Sequence, residues 1–169
     1  HVANHHVAPG KKQWTWGNQE FGYAWDRNLT VADAHGEFPP YIELMAGVYT
    51  DNQPDFSFLQ PGETKTWSQF WYPIREIGPA RHATVEAALS LTVHRRIARI
   101  GVAVTRAQTG ARLRVMARGR VVFKTVLDLH VERPHRADVP LGRGLSAADL
   151  SVVILSAEGR ELLRSEPPP

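Results

Sequence analysis

The run Thr84-Val85-Glu86-Ala87-Ala88-Leu89-Ser90-Leu91-Thr92-Val93 sets the fold of the chain. Val85, Ala87, Leu89, Leu91 and Val93 occupy every second position, the period of a β-strand with one face on a core. Residues 97–105 repeat the pattern with Ile100, Val102 and Val104. Further β-like runs follow at 113–117, 121–129, 150–156 and 160–164. Between them stand Thr109-Gly110, Arg118-Gly119, Arg133-Pro134, Gly142 to Gly144 and Glu158-Gly159, residues that turn a chain rather than extend it. Short strands at this spacing predict an antiparallel β-sandwich of immunoglobulin-like type over residues 81–166. The chain has no cysteine, so the likeness is one of architecture, without the Cys-Trp-Cys hallmark of antibody domains.

Toward the N-terminus, Ile77-Gly78-Pro79-Ala80 marks a boundary. Residues 1–80 hold five Lys/Arg against nine Asp/Glu, whereas residues 81–169 hold fifteen against eight. All five Trp, all four Tyr and five of the six Phe precede residue 81. Such different chemistry on the two sides predicts two units, 1–78 and 81–166, in an all-β protein. No window approaches the roughly eighteen consecutive apolar residues of a spanning helix, so no membrane partner is expected. The N-terminus lacks the basic start and apolar run of a signal peptide. The chain does not begin with Met, which is expected of a piece cut from something longer. Zero cysteines exclude a thiolate nucleophile and cysteine-ligated zinc, and they fit a reducing, cytoplasmic compartment. Arg95, Arg96 and Arg99, then Arg112, Arg114, Arg118 and Arg120, read as the solvated face of a half-buried sheet. With Phe123 the one aromatic beyond residue 81, no stacking rings interleave these cations, and nucleic acid is not expected as a partner.

The first half is less periodic. Residues 1–8 and 11–16 read as extended, with Trp14 and Trp16 on one side. Trp25-Asp26-Arg27-Asn28-Leu29-Thr30 carries turn and capping residues and is expected to be irregular. Residues 41–48 form a strand candidate, and Asp51 to Asp55 a loop in which Asp51 and Asp55 cap the backbone. Residues 64–74 alternate with large side chains on both faces, as in a strand covered on both sides.

Trp14, Trp16, Tyr23, Trp25 and Tyr41 accompany a polar set of His5, His6, Lys11, Lys12, Asp26, Arg27 and Glu43. Flat rings beside bidentate hydrogen-bonding groups suit a saccharide: the apolar face of a pyranose stacks on a ring while carboxylates and cations hold its hydroxyls. Rings also fill sandwich cores, and the five Trp are expected to divide between the two roles. The candidate platform is Trp14, Trp16 and Trp25, with Lys11, Asp26 and Arg27 as substrate-binding groups. Glu43 sits inside the apolar run Tyr41-Ile42-Glu43-Leu44-Met45, where burial would lift a carboxyl toward the range of a general base or acid. A proton donor is the natural role for His5 or His6. No third ligand joins these histidines in a metal-binding spacing, and neither a Gly-rich phosphate loop nor a Gly-x-Ser-x-Gly elbow is present, so no metal or cofactor is expected.

Three runs carry a resemblance: His5-His6-Val7-Ala8-Pro9-Gly10-Lys11-Lys12-Gln13-Trp14-Thr15-Trp16-Gly17, Ala24-Trp25-Asp26-Arg27-Asn28-Leu29-Thr30, and Tyr41-Ile42-Glu43-Leu44-Met45-Ala46-Gly47-Val48-Tyr49-Thr50-Asp51-Asn52-Gln53-Pro54-Asp55-Phe56. Over residues 1–78 the chain resembles the C-terminal portion of an uncharacterised bacterial domain family that often precedes tetratricopeptide repeats. That family is similar to the galactose mutarotase-like supersandwich. The resemblance implies a partial supersandwich ahead of the immunoglobulin-like sandwich, a saccharide ligand, and Glu43 as the base that removes the anomeric hydroxyl proton. The general acid of mutarotases is a His on an earlier strand, a role that His5 or His6 could fill without a matching motif. Arg27, Lys11 and the Trp cluster are not mutarotase features, so epimerase-like and glycoside hydrolase-like chemistry both stay open. So do a saccharide-binding module without catalysis and a scaffold docking downstream repeats of the same chain.

Overall fold

The computed structural model describes residues 1–48 and 58–167. The loop expected at Asp51 to Asp55, the capping roles of those two Asp residues, and the last two prolines lie outside the described residues. The chain divides into two compact units, His1–Trp71 and Tyr72–Pro169.

The described residues of the first unit form two short antiparallel ladders and one helix. In chain order these are β1 (Val2–Ala3), β2 (Gly10–Thr15), α1 (Glu20–Leu29), β3 (Ile42–Gly47) and β4 (Gln69–Phe70). β1 pairs with β4, Val2 opposite Phe70, and β2 pairs with β3 from Gly10–Gly47 to Thr15–Ile42. The helix corrects the irregular segment expected from Trp25 to Thr30. Phe21, Trp25 and Leu29 recur at four-residue spacing, Glu20 lies in the first turn and Arg27 in the last, as the helix dipole favours. The turn-forming side chains are absorbed by the helix itself: the Asn28 amide donates to the Ala24 carbonyl at 3.0 Å, and Thr30 ends the helix by donating its N–H to the Asp26 carbonyl at 2.9 Å. Gly22 lets α1 lie on the preceding loop, since a Cβ there would stand 2.5 Å from the Gly17 carbonyl oxygen. The long strand expected over 64–74 is reduced to β4. Trp67, Phe70 and Trp71 are exposed, and the two-sided cover that such a strand needs is not provided.

The second unit is a β-sandwich of two four-stranded antiparallel sheets. Its strands are β5 (His82–Ala83), β6 (Ala87–His94), β7 (Ile97–Val104), β8 (Gln108–Ala117), β9 (Arg120–Leu129), β10 (His135–Pro140), β11 (Leu150–Leu155) and β12 (Glu161–Ser165). One sheet runs β10-β7-β6-β5 and the other β12-β11-β8-β9. Leu89, Leu91, Ile100 and Val102 of the first sheet share one buried cluster with Leu113, Val115, Val152 and Ile154 of the second. The alternation from Ala87 to Val93 therefore points into the space between the sheets, as predicted, whereas Val85, ahead of β6, is exposed. β5 and β10 had no sequence signal: β5 spans two residues, and in β10 only Ala137 and Val139 interrupt charged or edge-type side chains.

Residues 72–80 lie with the second unit rather than the first, although Gly78-Pro79 reads as the boundary. The Tyr72 hydroxyl donates to the carbonyls of Thr84 at 2.7 Å and Ala87 at 3.0 Å. Ile77 packs with Ala88 and Ala103 on the outer face of the β6–β7 sheet. Gly101 makes room for it, because a Cβ there would stand 2.7 Å from the Ile77 Cβ. This strap explains why Ala88 and Ser90, on the face predicted to be solvated, are buried.

Candidate functional site

Alternation along β2 puts Lys12 and Trp14, and Trp16 just beyond the strand, on its half-buried face, with Lys11, Gln13 and Thr15 exposed on the other. Trp14 and Trp16 meet edge to face, with ring centroids 4.7 Å apart and planes at 76°. Trp16 in turn stacks on Trp25 of α1, centroids 4.8 Å apart and planes within 11°. Phe21, one turn before Trp25, meets Trp16 and Trp25 edge-on at 6.0 and 6.3 Å. The close approach of α1 to Trp16-Gly17 at Gly22 makes this stack possible. The cluster stays open: Trp25 is 37% exposed and Phe21 65%. The Trp16 indole N–H is buried without a hydrogen-bond partner among the described residues.

Glu43 stands opposite Trp14 in the β2–β3 ladder, so carboxylate and indole project from the same face. Tyr41, two residues earlier, shares that face. The Glu43 charge, then desolvation, then a hydrogen bond to Glu43 hold the Tyr41 phenol above its ordinary pKa. The Tyr41 backbone N–H donates to Asp26 Oδ1 at 2.9 Å, and Asp26 is 5% exposed. Asp26 is thus a strut between α1 and the start of β3, and its carboxylate is spent on the backbone rather than offered to a ligand. The result is a closed circuit, α1 to Tyr41 to Glu43 to Trp14 to Trp16 and back to α1 through Trp25.

Other expected members fall elsewhere. Lys11 is on the opposite face of β2 from Trp14; Lys12 has the matching parity, a signal already present in the sequence. Arg27 is exposed on α1, adjacent in sequence to the inward-facing Asp26. His5 and His6 sit on an exposed turn held by Asn4, whose side chain accepts the His6 N–H at 2.9 Å. Their rings face each other at 3.9 Å. That turn enters β2 at Gly10, four ladder steps from Trp14, or about 14 Å of strand. No described hydrogen bond or ion pair joins either ring to Glu43. Phe21 is the member that the aromatic set lacked, detectable from its spacing to Trp25; Tyr41, named in that set without a binding role, joins the site through its parity with Glu43.

Among the described residues no group of three or more His, Asp or Glu could hold a metal ion, and no helix is long and apolar enough to cross a membrane. The second unit has a half-open groove of about 540 Å³ lined by Tyr72, Ile74, Arg75, Val104, Val131 and Pro134. Its lining is mostly apolar, with Arg75 and Glu132 as the charged members beside Tyr72.

Residues 1–74 match the family model described as Domain of unknown function (DUF5107), an uncharacterised domain family. Residues 82–164 match the model of the YphG-like protein, second domain. No solved structure matches the chain.

Proposed function

We propose that the first unit binds a saccharide on the Trp14, Trp16, Phe21 and Trp25 surface, with Glu43 and Tyr41 holding sugar hydroxyls at its margin. The observation that carries this reading is the Trp16–Trp25 stack left open to solvent. Rings that filled a core would be buried among other apolar side chains, yet Ala8 is the one buried hydrophobic residue described in the first unit. An exposed aromatic patch beside a carboxylate and a phenol is ligand-binding composition. The orphaned Trp16 N–H also fits a site better than a core, in which nearly all polar groups find partners. The likeness to a mutarotase-like supersandwich belongs to the same proposal: further strands of such a sandwich would pair with the edges of the two short ladders. Epimerase- or hydrolase-like turnover with Glu43 as base would need a proton donor other than His5 or His6 as they stand here.

Tryptophan emission followed during titration with a panel of mono- and oligosaccharides tests the site. Binding should change the emission saturably, and Trp25→Ala should weaken it at least about tenfold, or some 1.4 kcal/mol. Glu43→Gln should weaken binding as well. Asp26→Asn should leave affinity near the starting value, because that side chain faces the Tyr41 amide. A broad panel that alters neither emission nor quencher access would refute the reading.

A further inference from the structure

We propose that two copies of the chain associate through β9, edge to edge and antiparallel about a two-fold axis at Val126, joining two four-stranded sheets into one. β9 ends its sheet: β8 lies on one side, and no described strand lies on the other. Many edge strands are short, interrupted or capped by charge. β9 is ten residues long. Its ladder with β8 shifts twice: Val122 is an extra residue of β9 between Val121 and Phe123, and opposite Asp128 the extra residue belongs to β8. Residues 123–129 of β9 itself therefore run without an inserted residue and present a straight row of main-chain donors and acceptors.

The side chains of that stretch are complementary to themselves. Lys124, Val126 and Asp128 point outward and are exposed, Val126 at 68%. An axis at Val126 pairs Val126 with its copy and sets each Lys124 beside the partner strand's Asp128, so that two opposite-charge pairs flank a central apolar contact. Neighbouring registers lose this match. An axis at Lys124 or Asp128 opposes like charges, and an axis at Thr125 or Leu127 sets an outward charge against valine or His130. A shift by one residue would set outward side chains against inward ones.

The inner face agrees with the same axis. Phe123 and Leu127 pack against the sandwich core but are only partly buried, because the sheet stops beside them. Across the axis Phe123 faces Leu129, and Thr125 faces Leu127, so each copy extends the apolar cover of the other. The residues 123–129 ladder would add about six to eight main-chain hydrogen bonds, the mode by which exposed sheet edges recruit another strand. Asp128 Oδ1 accepts the Gly110 N–H at 2.8 Å, which fixes the carboxylate and leaves its second oxygen for the partner lysine.

Charge reversal distinguishes this register from any other association. Light scattering behind size exclusion should give twice the 18.9 kDa chain mass at high micromolar concentration. Lys124→Asp, which opposes two carboxylates at each pair, should weaken the dimer at least about tenfold. Asp128→Lys should do the same, and Lys124→Asp combined with Asp128→Lys should restore association. Circular dichroism confirms that each variant is folded, and Lys124→Asp carries the test should Asp128→Lys suffer from losing the Gly110 contact. Hydrogen exchange should show the outward amides of residues 123–129 gaining protection as concentration rises. A chain that stays monomeric, a dimer indifferent to Lys124→Asp, or a double reversal that fails to recover would each overturn the proposal.

Discussion

Single side chains in this protein are legible when alternation or spacing assigns them a face, and illegible when their partner is a distant backbone group. Lys12 rather than Lys11 shares the Trp14 face by parity alone, and Phe21 joins Trp25 by helical spacing. Asp26 carried no such signal: its partner is the Tyr41 N–H, fifteen positions away, so a carboxylate that composition assigns to a ligand is a strut. Asp149 is tied down too, but locally, in the capping box it forms with Ser146. It accepts hydrogen bonds from the Ser146 N–H and hydroxyl at 2.9 and 2.8 Å and from Arg118 Nε at 2.8 Å. The backbone hydrogen bond from Ser146, then that from Arg118, hold its pKa down to about 2, below the ordinary 3.8. A carboxylate whose folded pKa is depressed stabilises the fold above its unfolded value and loses that contribution as pH falls through the folded value. Asp149→Asn should therefore lower the melting temperature at pH 7, and the gap from the parent chain should close between about pH 4 and pH 2. A gap independent of pH across that window would mean that shape, and not charge, makes Asp149 matter.

Elements follow the same division. The hairpin β6–β7 turns through Arg95 and Arg96, both left-handed at φ 47° and 65°, the backbone of the two-residue turn that Asn-Gly favours. Arginine reads as sheet surface from sequence because its turn role rests on backbone angles rather than on composition. A left-handed residue other than glycine or asparagine is strained by roughly 1–2 kcal/mol. Arg95→Asn should therefore stabilise the second unit by about 0.5–1 kcal/mol in urea denaturation, with unchanged stability or a loss counting against strain at this turn. The strands of the sandwich were legible because their period-two apolar faces meet in one core. β10 was not, since an edge strand with alternating charge has little apolar signal of its own. α1 was masked by Asp26, Asn28 and Thr30, turn formers that the helix satisfies internally. The long strand expected at residues 64–74 failed because alternation predicts a strand only where something covers its apolar faces.

Across the whole molecule, each unit is held together internally by its own means. The buried apolar clusters belong to the second unit, whereas the first relies on short ladders, the Asp26 strut and ring contacts, with Phe21, Tyr23, Trp25, Trp67 and Trp71 exposed. Burial of apolar surface is the dominant favourable term in folding, so the first unit should be the less stable. The chain supplies its own reporters, because all five Trp lie in the first unit and the long paired strands lie in the second. Tryptophan emission should then change at lower urea or temperature than far-ultraviolet circular dichroism, a failure of the coincidence that two-state unfolding requires. Saccharide should act on one transition alone. A ligand bound only to the folded first unit stabilises it by RT ln(1 + [L]/Kd), about 2.7 kcal/mol at a hundredfold excess over Kd. The emission midpoint should move upward under that excess while the dichroism midpoint stays in place. Coincident transitions would show that the units unfold as one, and a ligand that moved the dichroism midpoint alone would place its site outside the tryptophan cluster.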